Sequence, residues 1–170
     1  RERKYIATKG AHAKYHPIWR DEQSALISTK KSIQLAKKHQ RPVHILHVSS
    51  SDEMHFLKQH KDISTVEILP QYLTLFGPDC YEKYGTLAQQ NPPIRDKHHF
   101  EYLWQAVLDG TVDVIGSDHA PHTLEEKSKI YPQSPSGMPG VQTLLPIMLN
   151  HVHQKRLSIE KLVELITENP

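Results

Sequence analysis

Three short β-prone runs, each separated from the next by helix-like sequence, constrain this chain more than any other feature. Val43–Val48 reads Val-His-Ile-Leu-His-Val and suits a buried strand, Thr65–Leu69 is β-prone up to Pro70, and Thr111–Ile115 runs into Gly116-Ser117-Asp118. A helix is expected from about Pro17 to His39, with Ala25, Leu26, Ile33, Leu35 and Ala36 on its apolar face and Lys30, Lys31, Lys37 and Lys38 on a solvated one. Further helices are expected over Glu53–His60 with Ser51 or Asp52 as cap, over 97–109, over Val141–His153, and over Ser158–Thr167 with Ser158 as cap. Residues 1–16, the stretch from Pro70 to residue 97 and the stretch from Asp118 to Gly140 read as loops. Such alternation predicts an α/β fold, a parallel sheet with helices outside. A complete (β/α)8 barrel takes about 250 residues. Three strands therefore predict a partial (β/α)8 TIM barrel, with a small doubly wound sheet as the alternative.

Composition narrows the function classes. With 37% hydrophobic and 24% charged residues among 170, wholesale disorder is excluded. No apolar run approaches the roughly 18 residues of a membrane span, so no membrane partner is expected. The 21 basic and 19 acidic side chains give a net charge of +2, which makes no case for nucleic acid. The single Cys80 rules out an intrachain disulfide framework and suits a reducing, cytoplasmic compartment. No signal peptide is legible at Arg-Glu-Arg-Lys, and the start at Arg1 and stop at Pro170 suggest a segment of a longer chain.

There are 13 histidines, bunched in a few segments. In α/β folds the chemistry gathers at the C-terminal ends of strands. His44 and His47 are three apart, so on one strand they face opposite sides. His47, nearer the strand end, is the site candidate; a core histidine bonded to backbone is the other reading. Asp118 stands where the third strand ends, and a carboxylate there can bind metal and take a proton from water. A capped turn with solvated histidines is the competing account of Asp118-His119-Ala120-Pro121-His122. Asn91-Pro92-Pro93-Ile94-Arg95 is stiff enough to hold an amide or guanidinium against a ligand, or to make a structural corner. Pro135-Ser136-Gly137-Met138-Pro139-Gly140 is a loop with amides that can face an anionic or carbonyl group. Cys80 has no evident activating neighbour, so a thiol nucleophile is not expected.

In combination these segments resemble the class I dihydroorotases of the amidohydrolase superfamily, from about Pro17 onward. The match runs through Val43-His-Ile-Leu-His-Val-Ser-Ser50, Asn91-Pro-Pro-Ile-Arg95, Asp113-Val-Ile-Gly-Ser-Asp-His-Ala-Pro-His122 and Pro135-Ser-Gly-Met-Pro-Gly140. The resemblance implies that residues 1–170 are the C-terminal part of an amidohydrolase barrel domain, about strands 6–8 with their helices. The N-terminal half and the β-sandwich would be absent. It implies one or two zinc ions, with His47 and Asp118 as ligands and Asp118 as general base and acid. Asn91 and His122 would contact substrate, as would the backbone of Ser136-Gly137. The implied reaction interconverts N-carbamoyl-L-aspartate and L-dihydroorotate in pyrimidine synthesis, possible in a homo-oligomer. Two zinc donors do not complete a site, so this length alone is expected to be inactive. Allantoinases and dihydropyrimidinases usually carry serine at the place of Asn91 and lack His122. Gln71 in Pro70-Gln71-Tyr72-Leu73 departs the other way, since dihydroorotases carry histidine there and dihydropyrimidinases glutamine. A non-catalytic dihydroorotase-like assembly partner is the reading from another class.

Overall fold

A computed structural model describes residues 10–170; the expectations for residues 1–9 lie outside it. A 3-10 turn at Ala13–Tyr15 leads into the short helix α1 (His16–Trp19) and then α2 (Glu22–His39). The single helix expected from Pro17 is thus two. The Asp21 carboxylate accepts from the Ser24 amide at 2.8 Å and starts a new helix, as a short acidic side chain does at an N-cap. Gln40 in the left-handed conformation ends α2 before Pro42. Ile33 and Ala36 are buried as expected, but Leu35 is 57% exposed and belongs to the other face.

Strand β1 (Val43–Ile45) is followed by α3 (Ser51–Lys58), β2 (Ser64–Ile68), α4 (Pro70–Thr74), α5 (Asp79–Tyr84) and a 3-10 turn at Gly85–Ala88. Then come α6 (Lys97–Leu108), β3 (Val114–Ile115), α7 (Leu124–Lys127), α8 (Leu144–His153) and α9 (Ile159–Val163), which runs on as one π-helical turn, Glu164–Glu168. The cap of α3 is Ser50, one residue earlier than expected, and that of α9 is Ser158. The two expected loops contain α4, α5 and α7, helices too short for hydrophobic periodicity to reveal.

The strands form one parallel sheet in the order β1-β2-β3, pairing Ile45 with Val66 and Ile68 with Ile115. On the central strand Val66 and Ile68 are buried, in one core with Met54 and Leu57 of α3 and Leu103 and Val107 of α6. Each such side chain contributes about 1.5–3 kcal/mol by leaving water. The other face carries His44, Thr65 and Glu67, with His44 Nδ1 2.7 Å from Thr65 Oγ1. Val66 and Ile68 thus face the helices, and His44, Thr65 and Glu67 the opposite side. Among the described residues no helix is long and apolar enough to cross a membrane.

Candidate active site

The β1 ladder ends at Ile45, so the alternation argument for His44 and His47 fails at its second member. His47 leaves the strand with a φ of 40°, and Asp118, just beyond β3, has a φ of 44°. Left-handed backbone costs a residue with a Cβ of order 1 kcal/mol or more and concentrates at functional positions. Both proposed metal ligands therefore sit in strained turns at strand C-termini, on either side of β2. Between them, Glu67 of β2 accepts from the His47 amide at 3.1 Å. Its carboxylate lies against Gly116, where any Cβ would collide with it. Glu67 was missed from sequence, although the alternation Thr65-Val66-Glu67-Ile68 places it on the polar face.

His47 lines a cleft of about 460 Å³ with Trp19, Arg20, Asn91, Pro92 and Arg95. Asn91 is exposed, and its Oδ1 lies 2.9 Å from Nε2 of His16, which is also 3.1 Å from the Gln90 carbonyl. Two oxygens sharing Nε2 require it to carry the proton. His16 Nδ1 is then the acceptor for the Tyr131 hydroxyl at 3.3 Å, and Trp19 Nε1 donates to the same hydroxyl. This relay leaves the Asn91 amino group for a ligand oxygen. His16 is buried, and burial pulls its pKa down to about 4, against the raising effect of its bonds to Asn91 and Gln90. It was read from sequence as part of an irregular start, and nothing local marks it.

Arg95 is tied into the protein through Nε and Nη1. Its guanidinium donates to the Ser49 hydroxyl and to the carbonyls of Pro17 and Arg20, so it makes the structural corner. His119 is likewise occupied: its Nδ1 accepts the amides of Gly140 and Val141 at 3.0 and 3.3 Å, latching the 135–140 loop to β3. His122 comes within 3.1 Å of where a Gly137 Cβ would stand, so the structure brings those two together. Ser136 Oγ accepts from Gln89 Nε2, and the Gly137 amide donates to the Gln89 carbonyl. Tyr72, buried beside Gln90 and Asp118, donates its hydroxyl to the Pro92 carbonyl; burial raises its pKa well above the ordinary value. Cys80 is buried, with its thiol pushed up to about 12, and is no nucleophile. Among the described residues no group of three histidine, cysteine or acidic side chains is placed to hold a metal.

The parallel α/β layer matches amidohydrolase barrel proteins. The L-hydantoinase (dihydropyrimidinase) of Arthrobacter aurescens matches it with a TM-score of 0.90 at 29% identity, over 99% of this chain and 39% of that one. No family model matches the chain. In sequence it belongs with the dihydroorotases: that of Methanosphaera stadtmanae is 37% identical over 156 residues, 89% of this chain and 35% of the relative. The dihydroorotase of Methanosarcina mazei is 35% identical over 136 residues, 75% of this chain and 30% of the relative. The chain spans about a third of the length of the curated relatives it matches.

Proposed function

We propose that residues 1–170 form the part of a dihydroorotase barrel around strands 6–8, and that the full protein interconverts L-dihydroorotate and N-carbamoyl-L-aspartate. The observation that carries this reading is the pair of strained strand ends, His47 and Asp118, flanking β2 in a chain related to dihydroorotases. An imidazole and a carboxylate suit zinc, and they are two of the four donors a tetrahedral ion takes. The remaining ligands would come from outside the described residues. Zinc bound there would polarise the ring amide carbonyl and activate water.

Asp118 takes the proton of the attacking water and returns it to the ring nitrogen as the C–N bond breaks. The Asn91 amino group, set by His16, donates to a substrate oxygen, and His122 with the backbone of Ser136-Gly137 closes the other side. The test is turnover by the full-length zinc-loaded protein, with L-dihydroorotate, dihydrouracil and hydantoin compared. Dihydroorotate is expected to be preferred, with activity lost on chelation and restored by zinc.

A dihydropyrimidinase-like specificity is the second reading. It is favoured by Gln71, whose Nε2 donates to the Ser117 carbonyl at 3.3 Å beside Asp118. Preference for dihydrouracil or hydantoin would replace the first reading with this one. Turnover of none of the three would overturn both.

A further inference from the structure

Lys127 is 5% exposed, yet it has no carboxylate partner among the described residues. Its ammonium donates to three backbone carbonyls: Gln89 at 2.9 Å, Pro135 at 2.9 Å and Gly137 at 3.1 Å. Three donors meet three acceptors, so the group is saturated. Burying a cation without a counter-charge is costly, and burial lowers its pKa to about 8. An apolar residue would fill the same space without that penalty, so what the charge adds is the convergence of the three carbonyls.

Those carbonyls belong to the two loops proposed above to touch substrate. Gln89 is two residues before Asn91, and Pro135 and Gly137 flank Ser136. The same Gln89 carbonyl takes the Gly137 amide at 3.0 Å, and Gln89 Nε2 donates to the Ser134 carbonyl at 2.9 Å. The Lys127 carbonyl in turn accepts from Thr86 Oγ1 and Ser134 Oγ. Helix α7, which carries Lys127, begins two residues after His122 behind a Thr123–Glu126 capping box. One side chain thus spaces the Asn91 loop, the Ser136-Gly137 loop and the helix that follows His122.

We infer that Lys127 is a positioning residue, its ammonium holding the Asn91 and Ser136-Gly137 loops at the separation the substrate ring requires. This rests on the ligand roles proposed above for those residues. The experiment is steady-state kinetics of the full-length protein with L-dihydroorotate, comparing native, K127M and K127R, with thermal unfolding and amide exchange at Gly137 measured alongside. K127M is expected to raise KM at least tenfold with kcat within about threefold, because His47 and Asp118 are not touched. Gly137 amide exchange should rise with it. K127R keeps the charge, but its planar fork cannot meet three converging carbonyls as a tetrahedral ammonium does, so its KM should rise at least threefold. If K127M does not fold, the K127R result decides alone. A native-like KM in the folded variants, including a fall in kcat alone that tracks only stability, would overturn the inference. If the native protein turns over no dihydroorotate, the functional reading fails separately. Gly137 exchange then tests the clamp without substrate, and unchanged exchange in the folded variants refutes it.

Discussion

Acid should destabilise this fold through His16 in particular. The imidazole is 2% exposed, edged by the rings of Trp19 and Tyr131 at 5.7 and 5.6 Å, and it has Arg20 and Arg95 rather than a carboxylate for charged neighbours. Protonating it would place a buried charge there and give Nδ1 a hydrogen where it now accepts the Tyr131 hydroxyl. Its pKa falls from 6.5 to about 4 on folding, burial being the largest cause. The native state thus binds fewer protons than the unfolded state between those values. The contribution is fully present above pH 6.5, erodes as pH falls below it, and is gone once pH passes through about 4. Between pH 7 and pH 5 the loss amounts to about 2 kcal/mol, which at a urea slope of about 2 kcal/mol/M moves the midpoint by roughly 1 M. Burial also lowers the pKa values of His99 and His151, so the native protein alone cannot isolate the effect. Urea unfolding of native and His16→Gln protein at the two pH values does, since both keep the other histidines. The variant should lose about 2 kcal/mol less than the native protein on acidification. Parallel losses in the two proteins would refute the reasoning.

Asp118→Asn should keep the fold and lower kcat at least about a hundredfold, the usual worth of a proton-transferring group; turnover within tenfold of native would remove Asp118 from that role. His47→Asn should leave stability unchanged or raise it by up to about 1 kcal/mol, because the short asparagine side chain bonds locally and visits the left-handed region more readily, while zinc content falls. Calorimetry and metal analysis read the two effects separately, and a clear loss of stability would contradict the strain argument. In Gly140→Ala the added Cβ would collide with the Ser117 carbonyl oxygen, backbone that cannot swing aside. A cost of about 1–3 kcal/mol is expected from such overpacking, with the His119 latch broken; unfolding curves matching native would count against it. Leu57→Ala, at 0% exposure between the sheet and its helices, should cost about 2–5 kcal/mol in the same assay.

Much of the architecture was legible because its causes are local. Apolar runs bounded by Pro42, Pro70 and Gly116 marked the strands, and Ser158 announced the cap of α9. The parallel direction of the strands followed from helices lying between them. Boundaries failed where a side chain competed locally with the expected pattern, as Asp21 did within the Pro17–His39 stretch. They failed again where short helices such as Asp79–Tyr84 rely on neighbours rather than periodicity. The motif segments carrying His47, Asn91, Asp118, His122 and Ser136-Gly137 were likewise readable in order along the chain.

What the sequence by itself determined was the list of chemical groups and their place at strand ends, since covalent order and turn-forming residues specify both. Only the tertiary structure decided how those groups are held. It tied the Arg95 guanidinium to Ser49, Pro17 and Arg20, committed His119 to the amides of Gly140 and Val141, and set Glu67 against Gly116. It also brought His16 to Asn91 and Lys127 to Gln89, across 75 and 38 residues. Such partners are invisible to local patterning because each bond is specified by the packing of distant elements, and burial then sets the charge state of the group it encloses.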